Sequence, residues 1–254
     1  MKISVVTVSR NAVETIEKTL LSVQRQNYPR IEHIVIDGAS NDGTVDIIKR
    51  HRDFIETFVS EPDHGIYEAM NKGIAMASGE IIGTLNADDV YADEAVLSRV
   101  AAIFSNPEIN ACYADLVYVD PHFPHKIVRY WRSCEYHPGL FESGWMPAHP
   151  TFFARREVYE SFGDFDLNFP RQADFELTMR FLAIHRIRSQ YVPEIWVRMR
   201  TGGISNRSLI GILKGNIEAY RACKKNGLGV NALFIPRKIL SRIPQFFSRP
   251  GNAI

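Results

Sequence analysis

Apolar positions in the first hundred residues follow two alternating rhythms. Ile3 to Ser9 is a β-branched run, the pattern of a strand buried on both faces. After it, Val13, Ile16, Leu20 and Val23 recur at helical spacing, and Asn11 is placed to cap that helix. Ile34 to Ile36 is a second short buried strand, ending at Asp37. The turn-rich residues 38–43 then lead into a helix from about Thr44 to Arg50. Ile55 to Val59 predicts a third strand, and Ile66, Met70 and Ile74 lie on one face of a third helix. Ile81 to Leu85 predicts a fourth strand, and Val96, Leu97, Val100, Ile103 and Phe104 a fourth helix. A βαβαβαβα order of this kind predicts an α/β fold: a mostly parallel sheet with helices on both faces.

Such sheets bind ligands at the carboxyl ends of their strands. The polar clusters Asp37 to Asp42 and Asn86 to Asp89 fall at two of those ends, so the pattern predicts a polar cleft built from these loops. The second half is less regular. Cys112 to Val119 and Ile127 to Trp131 read as strands, and Arg155 to Ser161 and Asp174 to Ile184 as helices. Residues 1–205 are therefore expected to form one domain, with 1–105 binding the donor and 106–205 a mixed acceptor-binding half. A helical tail is expected over 206–254.

Composition narrows the reading. The 254 residues are 45% hydrophobic, enough for one sizeable core. Lys+Arg is 30 against Asp+Glu 29, a balance that gives no footprint for nucleic acid. Cys112, Cys134 and Cys223 are odd in number and widely spaced, which argues against a disulfide framework or a zinc site. Met1 to Val6 runs straight into a strand without a signal-peptide pattern, and no apolar run reaches the ~20 residues that span a bilayer. A cytoplasmic location is expected, extending to the inner face of the membrane if the tail docks there.

Asp88-Asp89 is the sharpest chemical feature. Two adjacent carboxylates repel unless a cation joins them, and a hard divalent ion, Mn²⁺ or Mg²⁺, takes oxygen ligands from carboxylate and phosphate. A solvated acidic turn, or a cap for a helix near Asp93, is the plain alternative; the position after a buried strand favours the ligand. Asp37 could accept hydrogen bonds from a base or ribose, or simply make a turn before Gly38. Asp63 precedes the third helix. Lys72 could reach a phosphate or lie on a solvated face. Asp174 could take a proton from an acceptor hydroxyl, or cap its own helix. His149 could line the acceptor side or pack in its loop. Arg198 and Arg200 could clamp a pyrophosphate beside the pair Gly202-Gly203, or lie free on the surface.

Taken together these segments resemble the family 2 glycosyltransferases, whose fold is the Rossmann-like GT-A fold. Ile3 to Asn11 looks like their first strand and turn, with Ser9 at the donor. Ile36 to Thr44 looks like their second-strand signature, and Ser78 to Asp89 like the approach to their metal-binding aspartates. Gly163 to Asp166 and Asp174 to Arg180 look like the region of their catalytic base. The resemblance implies a nucleotide-diphosphate sugar donor, a UDP-sugar first, with Asp37 at the base. Asp88 and Asp89 would hold ribose and a Mn²⁺ or Mg²⁺, and Asp174 would be general base in an inverting displacement. The chain departs from the commonest pattern at Asn86 and Gly38, where many members carry aspartate. Ser60 to Gly73 is similar to a bacterial surface-polysaccharide (O-antigen type) subgroup, which implies a lipid-linked saccharide acceptor.

Leu233 to Phe247 mixes apolar and basic residues, with Pro236 and Pro244 bracketing one or two helical turns. Such a segment either lies on an anionic membrane or packs on the domain with its Arg and Lys solvated. Two rival functions stand beside transfer. One is a sugar-phosphate nucleotidyltransferase, which usually carries a glycine-rich loop where this chain reads Ser9 to Ala12. The other is a non-catalytic sugar-nucleotide binder acting as an assembly partner.

Overall fold

The computed structural model describes residues 1–123, 125–201 and 209–248. β1 (Ile3–Ser9) is buried along its whole length because it lies between two parallel neighbours, β2 (Ile31–Asp37) and β4 (Ile81–Asn86). β3 (Thr57–Ser60) extends the parallel array beyond β2. Its register opposes Ser9 to Asp37, Val8 to Asn86 and Asp37 to Ser60, so four polar residues finish at one edge.

Beyond β4 the sheet becomes mixed. The strand order is β3-β2-β1-β4-β8-β6-β9-β5, with β7 paired to β6. β8 (Phe153–Arg155) runs antiparallel to both β4 and β6 (Ala111–Val119). β9 (Ser189–Arg200) runs parallel to β6, and β5 (Asp89–Tyr91) pairs antiparallel with β9. β7 (Ile127–Trp131) closes the far side of β6. One sheet therefore runs through residues 1–105 and 106–201, and strands of the second segment lie between β4 and β5.

Helices cover both faces. α1 (Ile16–Gln24), α2 (Thr44–Arg50) and α4 (Val96–Phe104) pack on one, through Leu20, Ile48 and Leu97. α3 (Ile66–Met76), α5 (Arg156–Phe162) and α6 (Ala173–Met179) pack on the other with Met70, Tyr159 and Phe175. A π-helical turn, Arg180–Ile184, continues α6. α7 (Leu209–Lys225) and α8 (Phe234–Leu240) join that same face, so the C-terminal segment packs on the domain.

Several expected details differ. α1 begins at Ile16, and Asn11 does not cap it. Asn11 Oδ1 accepts from the Asn41 backbone and its own N–H donates to Ser40 Oγ, so it ties the first turn to the second. Val13 lies before the helix and is 39% exposed. β3 starts at Thr57 because Ile55 closes a 3₁₀ turn, Arg52–Phe54. Pro236 sits inside the first turn of α8, where a missing N–H costs no helical bond, and does not bracket it. Gly202, Gly203 and the expected domain boundary at 205 lie outside the described residues, as do the first residues of the expected 206–254 tail and its end.

His33, on β2, is buried, with Nε2 2.9 Å from Thr7 Oγ1. Burial pushes its pKa from 6.5 down to about 3. The unfolded chain therefore binds a proton that the folded chain refuses, and stability is lost as pH falls below 6.5. At up to 1.36 kcal/mol per pH unit, His33 should cost about 2 kcal/mol between pH 7 and pH 5. Denaturant titrations should show that slope in the wild type and its absence in His33→Gln.

Candidate active site

Asp37 ends β2 fully buried, and its carboxylate is fixed by four donors. Ser9 Oγ reaches Oδ1 at 2.9 Å and Ser60 Oγ reaches Oδ2 at 2.8 Å. Ser40 gives Oδ2 its backbone N–H at 2.9 Å and Oδ1 its hydroxyl at 2.5 Å. The aligned strand ends supply Ser9 and Ser60, so the parallel register itself builds this corner. A carboxylate so held keeps a fixed direction.

Gly38 explains one departure from the commonest pattern. A Cβ at this position would lie 2.3 Å from Asp63 Oδ2. Asp63 is anchored there by accepting the Gly65 N–H at 2.9 Å. The acidic group beside Asp37 thus comes from the β3–α3 loop instead of from residue 38. Gly38→Ala should displace it and cost about 1–3 kcal/mol. Urea titration should recover most of that loss when Asp63→Ala is added, since the clash then has no partner.

Asn86, Asp88 and Asp89 occupy the tight turn from β4 into β5. Asp89 is fully buried where β5 pairs with β9, opposite Met199. Asn86 Nδ2 donates to Asp89 Oδ2 at 3.0 Å. Asn86 Oδ1 and Asp89 Oδ1 are buried with no hydrogen-bond partner. Burial, then the neighbouring Asp88 charge, holds the Asp89 carboxyl well above the usual carboxylate range. Burial also raises Asp88, against the pull of Arg200.

These are the marks of a place for a cation: paired carboxylates, one buried, with orphaned oxygens. No third His, Cys, Asp or Glu joins them among the described residues. That suits Mg²⁺ or Mn²⁺, which take one or two carboxylates and complete their shell with substrate phosphate and water.

Asp174 is the second residue of α6, and the helix cap is Gln172, so Asp174 does not cap its helix. Its Oδ1 accepts the adjoining Phe175 N–H at 2.8 Å, while Oδ2 lies 3.2 Å from His149 Nδ1. Burial lowers the His149 pKa despite the Asp174 charge, so a neutral imidazole faces the carboxylate. Tyr67, on α3, is buried near Asp174; burial, then the charge of that carboxylate, pushes the phenol well above its ordinary range. Thr84, His149, Phe165 and Thr178 line a small cleft with Asp174.

Thr84 lies on β4 two residues before Asn86, so the strand that lines this cleft also leads into the Asp88-Asp89 turn. Tyr118, on β6, is buried, and burial raises its pKa against the Arg129 charge, with smaller contributions from the Asp89 and Asp174 charges. Tyr67, Thr84 and Tyr118 were not singled out from sequence. Tyr67 sat in plain view within Ile66 to Gly73, but only the tertiary approach of α6 gives it a role.

The other expected residues divide. Arg200 lies within the field of Asp88, with Nη2 3.3 Å from the Pro121 carbonyl. Arg198, two residues back on the same side of β9, adds a smaller charge to Asp93, whose pKa is lowered chiefly by the grip of Arg99. Lys72 is held by Glu61 Oε1 at 2.8 Å, Glu68 Oε1 at 3.5 Å and the Pro62 carbonyl at 3.1 Å. A separate cavity of about 420 Å³, lined by Tyr28, His33, Phe54 and Glu56, opens at the amino ends of β2 and β3, away from these carboxylates.

The glycosyl transferase family 2 profile matches residues 4–163. An uncharacterized glycosyltransferase of Mycobacterium tuberculosis is 39% identical over 104 residues, 41% of this chain and 40% of that protein. The match therefore spans under half the length of that relative. A PGL/p-HBAD biosynthesis glycosyltransferase of Mycobacterium bovis is 27% identical over 207 residues, covering 80% of this chain and 78% of its own. Among solved structures, S. aureus TarS 1-349 in complex with UDP superposes with TM-score 0.65 at 17% identity, covering 93% of this chain and 68% of its own. The mannosyltransferase PcManGT from Pyrobaculum calidifontis, in complex with GDP-Man and Mn²⁺, gives 0.66 at 20% identity, with 95% and 69% covered. At these identities the structures share the GT-A fold.

Proposed function

The chain belongs to glycosyl transferase family 2, and we propose that it moves a sugar from a nucleotide-diphosphate donor, a UDP-sugar first, to an acceptor hydroxyl with inversion at the anomeric carbon. The observation that supports this reading is the carboxylate pair Asp88-Asp89, with orphaned oxygens on Asn86 and Asp89, just beyond β4, the strand whose Thr84 lines the Asp174 cleft.

Asp37, fixed by Ser9, Ser40 and Ser60, accepts from the base or ribose of the donor, with Asp63 beside it. Asn86 orients Asp89, and Asp88 and Asp89 hold a divalent ion. When bound, Mn²⁺ or Mg²⁺ neutralises charge on the departing diphosphate. Arg200, in the field of Asp88, adds positive charge at the same end. Asp174 Oδ2 takes the proton of the acceptor hydroxyl as its oxygen bonds to the anomeric carbon. The bond to the diphosphate oxygen breaks, and its electron pair leaves with the nucleotide. Neutral His149, 3.2 Å from that carboxylate, lines the acceptor side, with Tyr67 close by.

The acceptor is a saccharide, with a lipid-linked one supported by the M. bovis relative's part in PGL/p-HBAD biosynthesis. No helix among the described residues is long and apolar enough to cross a membrane. The segment 209–248 nonetheless carries seven lysines and arginines against one glutamate. It also exposes Leu240 at 60% and Phe247 at 80%. This composition fits peripheral contact with an anionic bilayer. Vesicle flotation should recover the wild type with anionic vesicles and lose it for Leu240→Ser/Phe247→Ser; equal recovery removes the membrane from the scheme.

Melting with UDP, GDP, dTDP and CDP, each with and without Mn²⁺, tests the donor site, because a ligand of the folded state raises Tm by mass action. The expected result is a rise with one nucleotide that depends on metal. A rise with none of them at millimolar concentration overturns the donor assignment.

A further inference from the structure

The family profile stops at residue 163, yet the base-bearing helix α6 and the helices behind it follow that point. Three side chains from the C-terminal segment reach the residues around Asp174. Glu218 Oε2, on α7, accepts the Arg171 backbone N–H at 2.8 Å, and Glu218 Oε1 lies 3.2 Å from Arg171 Nη1. Asn226 Nδ2 donates to Glu176 Oε1 at 3.2 Å. Lys238 Nζ, on α8, donates to Gln172 Oε1 at 2.9 Å, and Gln172 caps α6 two residues before Asp174.

Lys238 is the unexpected member. It is fully buried, where the sequence pattern suggested a solvated lysine. Its Nζ lies 3.8 Å from the centre of the Phe175 ring. Gly144, with φ +87°, makes room for it: a Cβ there would fall 2.4 Å from Lys238 Cβ. The groups acting on it are Arg242, which disfavours its charge, and Asp174 and Cys223, which favour it; burial, joined by Arg242, outweighs the other two and drives its pKa well down. Among the described residues no carboxylate pairs with it within salt-bridge distance. An enclosed amine served by one amide oxygen and one ring face is costly, and methionine would fill the same space without that cost. Locally unfavourable choices of this kind concentrate where function requires them.

We infer that Lys238 is a positioning residue of the transfer reaction: through Gln172 it fixes the start of α6 so that Asp174 faces His149 and Thr84. The C-terminal segment is thereby part of the catalytic apparatus. This rests on Asp174 being the base.

The test uses the full chain and two variants, Lys238→Met and Gln172→Leu, with Asp174→Asn alongside. Turnover is followed as nucleoside diphosphate released with water as acceptor. The donor is whichever of UDP-glucose, UDP-N-acetylglucosamine, GDP-mannose and dTDP-rhamnose the wild type hydrolyses fastest. Hydrogen exchange across 171–179 is measured in parallel and needs no substrate. In Lys238→Met, Tm should hold or rise, and stabilisation by the nucleotide of that donor with Mn²⁺ should be unchanged. Its kcat should fall at least tenfold with KM within twofold, and exchange over 171–179 should quicken at least tenfold. Gln172→Leu should reproduce the kcat loss, and the double variant should add nothing to it.

A purely structural lysine would instead lower Tm and leave kcat per folded molecule intact. That outcome, additive losses, or unchanged exchange each overturn the proposal. If Asp174→Asn is inactive while Lys238→Met is fully active, the positioning role fails and the base stands. If Asp174→Asn keeps wild-type turnover, the base assignment fails and takes this role with it.

Discussion

Asp174→Asn should lower turnover by about 10²–10⁴-fold, the range a positioned general base contributes. Donor binding should survive, because Asp37, Asp88 and Asp89 stand on other elements. The substitution is nearly isosteric. An amide oxygen can still accept the Phe175 N–H, so α6 keeps its start and Tm should change little. What disappears is the acceptor for a proton. Steady-state kinetics should therefore show kcat falling with donor KM nearly constant. If His149 were the base instead, Asp174→Asn would act only through the imidazole it faces at 3.2 Å, and His149→Ala would cost at least as much as Asp174→Asn. The neutral, buried state of His149 makes the opposite order the expected one.

Asp89→Asn should move stability and function in opposite directions. In the protein without metal, a fully buried carboxyl beside Asp88 is held against both burial and like charge. Asparagine removes the charge and can still accept the Asn86 Nδ2 donor that now reaches Oδ2 at 3.0 Å. A gain of about 1–2 kcal/mol is expected, on the order of 2–8 °C in Tm for a chain of this size. The same change removes a ligand from the cation place, so the Mn²⁺-dependent part of nucleotide stabilisation should vanish and activity should fall more than 10³-fold. Calorimetry with and without Mn²⁺ reads both. A variant that keeps metal-dependent stabilisation would place the ion on Asp88 alone.

The polar corner at Asp37 was legible in the sequence because β1, β2 and β4 carry short β-branched or apolar stretches and their polar ends align. Asp37 and Asp88-Asp89 follow from that rule alone. β5, β8 and β9 were not legible. β5 is three residues long and begins with an aspartate. β9 contains Pro193 and exposes Gln190 and Glu194, and it bulges against β6, so it lacks the alternation that marks a strand. Its pairing partners lie far away in sequence, where local pattern is silent. Tyr67 and Lys238 illustrate the same limit for side chains. Tyr67 is one more helix residue until α6 arrives, and Lys238 reads as part of a solvated basic face until Gly144 makes room for it. Asn11 shows that a good cap residue can be recruited elsewhere, here by the loop at Ser40 and Asn41.

The pairing of β5 with β9 constrains how the protein is made. Asp89 meets Met199 across the ladder, so the strand that seats the buried aspartate waits for 110 further residues to leave the ribosome. At 5–20 residues per second that is roughly 5–20 s during which β5 has no partner, while the edge of β4 stays open only until β8, at 153–155, has emerged. The nascent chain thus carries an unfinished turn at Asp89 until β9 is made, and an open sheet edge for the first part of that time. Slow positions in the message between residues 100 and 190 would lengthen that exposure, and chaperone demand should track them more closely than it tracks the stability of the finished fold.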